Sequence, residues 1–280
     1  MIARMELTAQ KLKAMRFRRL HKGPGILVLP NAWDAASARI FEHAGFRAIG
    51  TTSAGIAASL GYPDGQRLAR EEMLAVVRRI AATVQVPVSA DMEAGYGDSP
   101  EQVAETARGV LEAGVVGINL EDAASDVALF DTALQVERIR AAGEAADLVI
   151  NARTDVYLAG IGDASGRFDE ALRRLIAYRD AGAACLFLPG VRDASVIARM
   201  VREVGAPLNV LAGPGVPSVR DLENIGVARV STGSGPMRAC MGLTRRIAQE
   251  LMEQGTYTGF TDGAIPYAEV NLMMAANERE

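Results

Sequence analysis

Residues 86–122 constrain this chain most. They open with Val-Pro-Val-Ser-Ala-Asp-Met-Glu-Ala-Gly-Tyr-Gly, close with Val-Gly-Ile-Asn-Leu-Glu-Asp, and carry helical spacing over residues 100–112 between. Two apolar runs, each ended by acids and joined by an amphipathic crossover, make a βαβ unit with parallel strands. Strands so apolar are buried on both faces of a parallel sheet, and their carboxyl ends are where such folds place chemistry. Asp91 and Glu93 end the first run, Glu121 and Asp122 the second. Acids gathered there repel one another unless a cation joins them.

The same alternation runs along most of the chain. Apolar runs at residues 26–29, 47–51, 86–91, 117–121, 148–153, 185–188, 208–211 and 229–231 predict eight strands, with helices over 34–43, 71–84, 100–112 and 168–181 among the intervening segments. A leading helix is expected over residues 6–20, and residues 52–64 read as a long Gly- and Ser-rich loop of the kind that carries function. Eight alternations match an α/β protein of the (β/α)8 barrel type, a single domain over residues 1–280. A doubly wound sheet would want a Gly-rich phosphate turn after the first strand, where Pro30-Asn31-Ala32-Trp33 stands instead. A final amphipathic segment, residues 266–277, follows a Gly- and Thr-rich stretch and has two options, packing at home or on a neighbouring subunit.

Composition removes several classes of function. Thirty basic against thirty-four acidic residues, with the arginines spread along helix faces, give no basic stripe for nucleic acid. No apolar run approaches the roughly 20 residues needed to span a bilayer. The basic start has no apolar core of a secretory signal, and Cys185 and Cys240 offer neither a disulfide framework nor metal spacing. A cytoplasmic enzyme or binding protein is expected.

Missing residue types narrow the chemistry further. The lysines, Lys11, Lys13 and Lys22, all precede the first strand, so no strand end carries an amine for a Schiff base. His21 precedes the barrel and His43 closes the first helix, which leaves imidazole out of the mouth. What remains there is Asp64, Asp91, Glu93, Glu121, Asp122, Asp155, Arg153, several hydroxyls, and Tyr62, Tyr96 and Tyr157. Oxygen ligands of high negative charge suit a hard cation, Mg²⁺ first and Mn²⁺ second. Glu93 and Asp122 have the competing option of capping helices or pairing with arginines. Arg153 either grips a substrate carboxylate in bidentate fashion or pairs with Asp155 or Glu121. Gly213-Pro214-Gly215 and Thr232-Gly233-Ser234-Gly235 are an anion nest or ordinary tight turns.

Six motifs then occur in order between residues 29 and 235: Pro-Asn-Ala-Trp-Asp-Ala-Ala-Ser-Ala, Gly-Thr-Thr-Ser-Ala-Gly, Gly-Tyr-Pro-Asp-Gly, Ala-Asp-Met-Glu-Ala-Gly-Tyr-Gly, Asn-Leu-Glu-Asp and Asn-Ala-Arg-Thr-Asp. Together they resemble the isocitrate lyase and phosphoenolpyruvate mutase superfamily. The resemblance implies a (β/α)8 barrel whose last helix, here residues 264–280, is swapped between subunits of a homo-oligomer, a tetramer or dimer. It implies a Mg²⁺ site with Asp91 as direct ligand and Asp64, Glu93 and Glu121 holding its waters; many relatives have Asp where Glu93 stands. It also implies a 2-oxo acid substrate whose carboxylate is held by Arg153 and the backbone of Ser53, Ala54 and Gly55, with Trp33 near the pocket wall. A divalent cation on the oxo group stabilises the enolate formed when the neighbouring bond breaks.

The loop after the fourth strand departs from that family. Its lyases carry Lys-Lys-Cys-Gly-His there, and this chain has Ala-Ala-Ser-Asp-Val-Ala-Leu-Phe over residues 123–130. The expectation is therefore a Mg²⁺-dependent lyase cleaving a carbon–carbon bond of a small 2-oxo acid or 2-hydroxy dicarboxylate, by decarboxylation or retro-aldol chemistry. Asp64, Arg153, Tyr62 and Ser125 are its candidate catalytic side chains, with Tyr96 or water as further proton sources. Phosphonate carbon–phosphorus cleavage and a catalytically lapsed 2-oxo acid binder are the alternatives.

Overall fold

Pro30 divides the first strand in two, and each half serves a different neighbour. In the computed structural model, which describes residues 8–125 and 128–275, β1 (Leu27–Leu29) pairs with the last strand and β2 (Asn31–Ala32) with β3 (Ile49–Thr51). The sheet continues through β4 (Val88–Asp91) and β5 (Gly117–Glu121). After a small antiparallel hairpin, β6 (Ala123–Ser125) and β7 (Ala128–Leu129), it resumes with β8 (Val149–Arg153), β9 (Cys185–Leu188), β10 (Leu208–Leu211) and β11 (Arg229–Ser231). All nine sheet strands are parallel, in the order β1-β11-β10-β9-β8-β5-β4-β3-β2. Counting β1 and β2 as one interrupted strand gives the expected eight.

Asn31 sews the seam. Its Nδ2 donates to Thr51 O (2.7 Å), while its Oδ1 accepts from the backbone N–H of Thr232 (2.8 Å) and Gly233 (2.9 Å). Gly50 permits this approach, because a Cβ there would lie 2.7 Å from Asn31 Nδ2.

The helices follow local signals. α1 (Ala9–Leu20) is capped by Thr8; residues 6–7 of the predicted helix lie outside the described residues. α2 (Ala35–His43) starts on an Asp34–Ser37 capping box. The expected long loop instead contains α3 (Ser53–Ser59), started by the Thr52 hydroxyl accepting from Gly55 N; its Gly and Ser content masked a short helix built on Ala-Gly-Ile-Ala-Ala. α4 (Arg70–Thr83) and α5 (Pro100–Glu112) follow, the latter with the expected bounds because Ser99 caps it and Pro100 opens it. The outer ring continues with α6 (Thr132–Ala145), α7 (Arg167–Asp180), α8 (Ala194–Val204), α9 (Val219–Ile225) and α10 (Gly235–Glu253), and the chain ends in α11 (Thr258–Thr261) and α12 (Tyr267–Met274). Residues 276–280 of the final segment, and so part of the predicted swapped helix, lie outside the described residues. Within one chain α12 rests against α2, and Tyr267 and Leu272 remain exposed. No helix among the described residues is long and apolar enough to cross a membrane.

The main apolar core lies between strands and helices, with Ile118, Ile150, Leu186, Val210 and Val230 pointing outward from the barrel. The alternate residues point inward, and many are polar: Ser89, Asn119, Asn151, Asn209 and Ser231 are all buried. The strands are thus buried on both faces, as expected, with the inner face more polar than their apolar runs suggest. The far end of the barrel is closed by α1, whose Phe17 packs with Leu27, Leu29, Ala48, Val116 and Val149. Gly117 makes room for it, since a Cβ there would sit 2.7 Å from the Phe17 ring.

His21 belongs to this plug. Its ring meets Phe17 edge-on at 4.7 Å, and burial, followed by the nearby Arg229 charge, pushes its pKa down to about 4. The unfolded chain takes up a proton below pH 6.5 that the folded chain refuses until about pH 4. Stability is thus complete above that window and is lost as pH falls through it, by at most about 3 kcal/mol. In urea titrations, His21→Gln should flatten this segment of the pH–stability curve relative to the parent.

Candidate active site

The carboxyl ends of the strands surround a cavity of about 270 Å³, lined among others by Ser53, Asp64, Asp91, Asn119, Arg153 and Arg229. A second cavity of about 480 Å³ adjoins it, sharing Ser53, Asp64 and Arg153 and adding Glu93, Glu121 and Ser125.

Strand register assembles the first acid's surroundings. Asp91 stands opposite Asn119, and Asn119 opposite Asn151. Asn151 Nδ2 donates to Asn119 Oδ1 (2.7 Å), and Asn119 Nδ2 donates to Asp91 Oδ1 (2.8 Å). The other Asp91 oxygen accepts from Ser53 N (3.1 Å) and Ser53 Oγ (3.0 Å) at the start of α3. The carboxylate is oriented from both sides.

Glu93 is held in a clasp. It accepts from the Gln66 backbone N–H and from the Tyr96 hydroxyl (3.1 Å), and Tyr96 N donates to Gln66 Oε1 (2.6 Å). All three residues have left-handed backbones, with φ of 52° at Glu93 and 57° at both Gln66 and Tyr96. Such strain, of order 1–3 kcal/mol per residue, persists where the surroundings over-determine it and is concentrated at functional sites. Burial, then repulsion from Asp64 and Asp91, raises Glu93 to about 7. Desolvation and Asp91 raise Asp64 as well. Burial and Glu93 push the Tyr96 phenol up, so it keeps its proton and serves as a hydrogen-bond donor to Glu93.

Arg153 is the counter-charge. It stands opposite Glu121 in the β5–β8 register, and its Nη1 lies 2.7 Å from Glu121 Oε2. Its Nε and Nη2 donate to the two oxygens of Asp155 at 2.5 and 2.8 Å, a bidentate pair. Burial acts to lower its pKa, but Glu121 and Asp155 outweigh it and hold the guanidinium firmly charged. Both of its expected ion-pair partners are engaged, and the side chain still lines both cavities.

Asp122 leaves the mouth altogether. Fully buried, it accepts from Tyr178 OH (2.7 Å), Arg174 Nη1 (3.2 Å) and Asp155 N (2.9 Å). It is the anchor that fixes Asp155, and through it Arg153.

Of the remaining expected residues, Ser53, Ala54 and Asp64 line the first cavity; Glu93, Glu121 and Ser125 line the second. Gly55 and Trp33 line neither: they pack on each other, a Cβ on Gly55 falling 2.9 Å from Trp33 Cβ. Tyr62 is 39% exposed and lines neither cavity. Asn31, Asn119, Arg229, Ser231 and Arg238 line the first cavity, and Arg67 the second, without having been singled out as site residues. For Asn119 the signal was available, since it lies two residues before Glu121 and so shares its face.

The profile of the phosphoenolpyruvate phosphomutase family matches residues 17–252. The chain belongs to that family. Among solved structures in its wider isocitrate lyase and PEP mutase superfamily, a protein from Burkholderia cenocepacia J2315 provisionally described as a lyase/mutase is 42% identical, with a TM-score of 0.89 over 96% of this chain and 97% of that one. Oxaloacetate acetylhydrolase in complex with its product oxalate is 27% identical, with a TM-score of 0.84 over 95% of each chain. The 2-methylisocitrate lyase of Escherichia coli K12 is 29% identical over 245 residues, 82% of this chain and 81% of that enzyme. The family's relatives are lyases and mutases on a TIM-barrel fold, and this family member is an enzyme of that type.

The Asp122 anchor gives a direct prediction for the family fold. Asp122→Ala leaves Arg174 and the Tyr178 hydroxyl without their buried partner and should cost about 3 kcal/mol or more in urea unfolding. Tyr178→Phe should cost about 1 kcal/mol by the same measurement.

Proposed function

We propose that this chain is a Mg²⁺-dependent lyase that breaks a carbon–carbon bond of a small 2-oxo acid or 2-hydroxy dicarboxylate, by decarboxylation or retro-aldol cleavage. The observation that carries the reading is the convergence of Asp64, Asp91, Glu93 and Glu121 on two adjoining cavities with Arg153 between them.

The donor set fits a hydrated hard cation. Asp64 and Glu93 are both raised in part by repulsion from neighbouring carboxylates, which a divalent ion would relieve. Among the described residues no three His, Cys, Asp or Glu side chains are grouped closely enough to hold a metal ion by themselves. Mg²⁺ takes one or two carboxylates directly and keeps several waters. Asp91 would be the direct ligand, with Asp64, Glu93 and Glu121 around it. When bound, the ion supplies the electrophile for a 2-oxo group whose neighbouring bond is breaking.

The chain's own groups do the rest. Arg153, locked by Glu121 and Asp155, presents its remaining donors toward the substrate carboxylate, assisted by the backbone of Ser53 and Ala54. Strand β6 lines the second cavity, and residues 123–130 carry no Cys, Lys or His, so the proton comes from Ser125 or from water. Oxaloacetate acetylhydrolase, with oxalate as product, supports carbon–carbon cleavage on this scaffold.

A second reading, phosphonate carbon–phosphorus cleavage, is favoured by the phosphomutase profile. The exposed Met241, Leu243, Leu251 and Met252 of α10, with Tyr267 and Leu272 of α12, support a homo-oligomer in which residues 264–280 pack on a neighbouring subunit.

With Mg²⁺ present, oxaloacetate or another four- to six-carbon 2-oxo acid should be turned over, EDTA should abolish the activity, and Asp91→Ala should lower kcat/KM by at least about 100-fold. Turnover of phosphonopyruvate alone would establish the second reading. Mg²⁺-dependent binding without any product would mark the barrel as a binder.

A further inference from the structure

The barrel interior holds a cation that the chemistry above leaves unused. Arg229 opens β11, is 3% exposed, and lines the first cavity together with Ser89, Asp91 and Ser231. Its Nε and Nη1 have no hydrogen-bond partner among the described residues, and neither does the buried Ser89 Oγ on the same cavity. Arg153, on the same cavity, is instead gripped by two carboxylates.

The groups that face Arg229 do not settle its charge. Asp91 attracts it from across the cavity but already accepts three hydrogen bonds from Ser53 and Asn119. Cys185 is beside it on the inner face, and burial pushes that thiol up to about 11, so it is neutral. His21 lies toward the plug and is neutral as well. An uncompensated buried guanidinium is among the least favourable arrangements a fold can keep, and its planar fork matches an anion with two or more oxygens.

We propose that Arg229, with Ser89 Oγ, is an anion subsite at the floor of the cavity that receives the second acidic group of a dianionic substrate. The first carboxylate is taken at the mouth by Arg153 and the Ser53 segment. This assignment rests on the 2-oxo acid reading and adds a requirement to it: the substrate carries a carboxylate or phosphonate at the end remote from its 2-oxo acid group. A 2-oxo monocarboxylate lacks the group that Arg229 recognises.

The test is calorimetric titration of oxalate into the full-length protein with Mg²⁺, followed by rapid-mixing displacement of oxalate. The competitors are oxaloacetate, phosphonopyruvate, and 4-methyl-2-oxopentanoate, in which two methyls replace the remote carboxylate oxygens. Arg229→Met should leave oxalate binding within about twofold and weaken oxaloacetate by about tenfold to a hundredfold, with 4-methyl-2-oxopentanoate unchanged. Its unliganded melting temperature should be equal or higher, because an unpaired buried charge has gone; a purely structural arginine would lower it. Should Arg229→Met not fold, Arg229→Lys keeps the charge without the fork, and about tenfold weaker binding of the dianion alone is expected. An equal loss for phosphonopyruvate places either acid type at the floor, and a loss for one only identifies which. Oxaloacetate binding alike to parent and variant overturns the subsite alone. Failure of oxalate to bind the parent overturns the reading of the mouth, and the subsite with it.

Discussion

Glu121 and Arg153 are register partners on neighbouring strands, and that pairing sets a guanidinium among carboxylates that would otherwise repel without relief. The arginine is not free to wander. Asp155 grips the other edge of its fork, the Asp155 backbone N–H is fixed by Asp122, and Asp122 is locked by Tyr178 and Arg174 from α7. Rigidity at the mouth is thus imported from the helix ring through a fully buried acid that lines neither cavity. A site preorganised in this way does not have to reorient its dipoles while the chemistry proceeds.

The loop that carries Glu93 is fixed from several directions. Above it, Gln66 and Tyr96 close on the carboxylate; below it, Arg138 of α6 donates to Ala94 O and Gly97 O. Arg138 also stacks at 3.8 Å on Phe130, just beyond the β6–β7 hairpin, and the Phe130 N–H donates to Asp122 O (2.8 Å). Hairpin base, acid loop and Asp122 anchor therefore share one continuous network of contacts.

Much of the architecture was legible in the residues. The strands Gly117–Glu121, Cys185–Leu188, Leu208–Leu211 and Arg229–Ser231 and the helix Pro100–Glu112 fall where apolar runs and caps put them, because packing against the outer ring and local stop signals agree there. α3 was hidden by its glycine and serines, although Thr52 was the cap that could have announced it. Asp91, Glu93 and Glu121 were found because they stand at strand ends, and Asp64 because it stands in the long loop. The inward polar residues were harder, since one asparagine within an apolar run looks like an interruption until its partners on adjacent strands are known. Asn119 and Asn151 make sense only in register. Trp33 and Tyr62 were placed by motif position, and the fold turns one against Gly55 and the other outward. Arg229 and Arg238 carry no local signal, as each reaches the cavity only through barrel closure.

That closure also gives the barrel two unlike ends. With Phe17 filling the space left by Gly117, the α1 end is packed with apolar side chains. Both cavities lie at the opposite, carboxyl end, so the plug confines the polar interior to one face of the molecule.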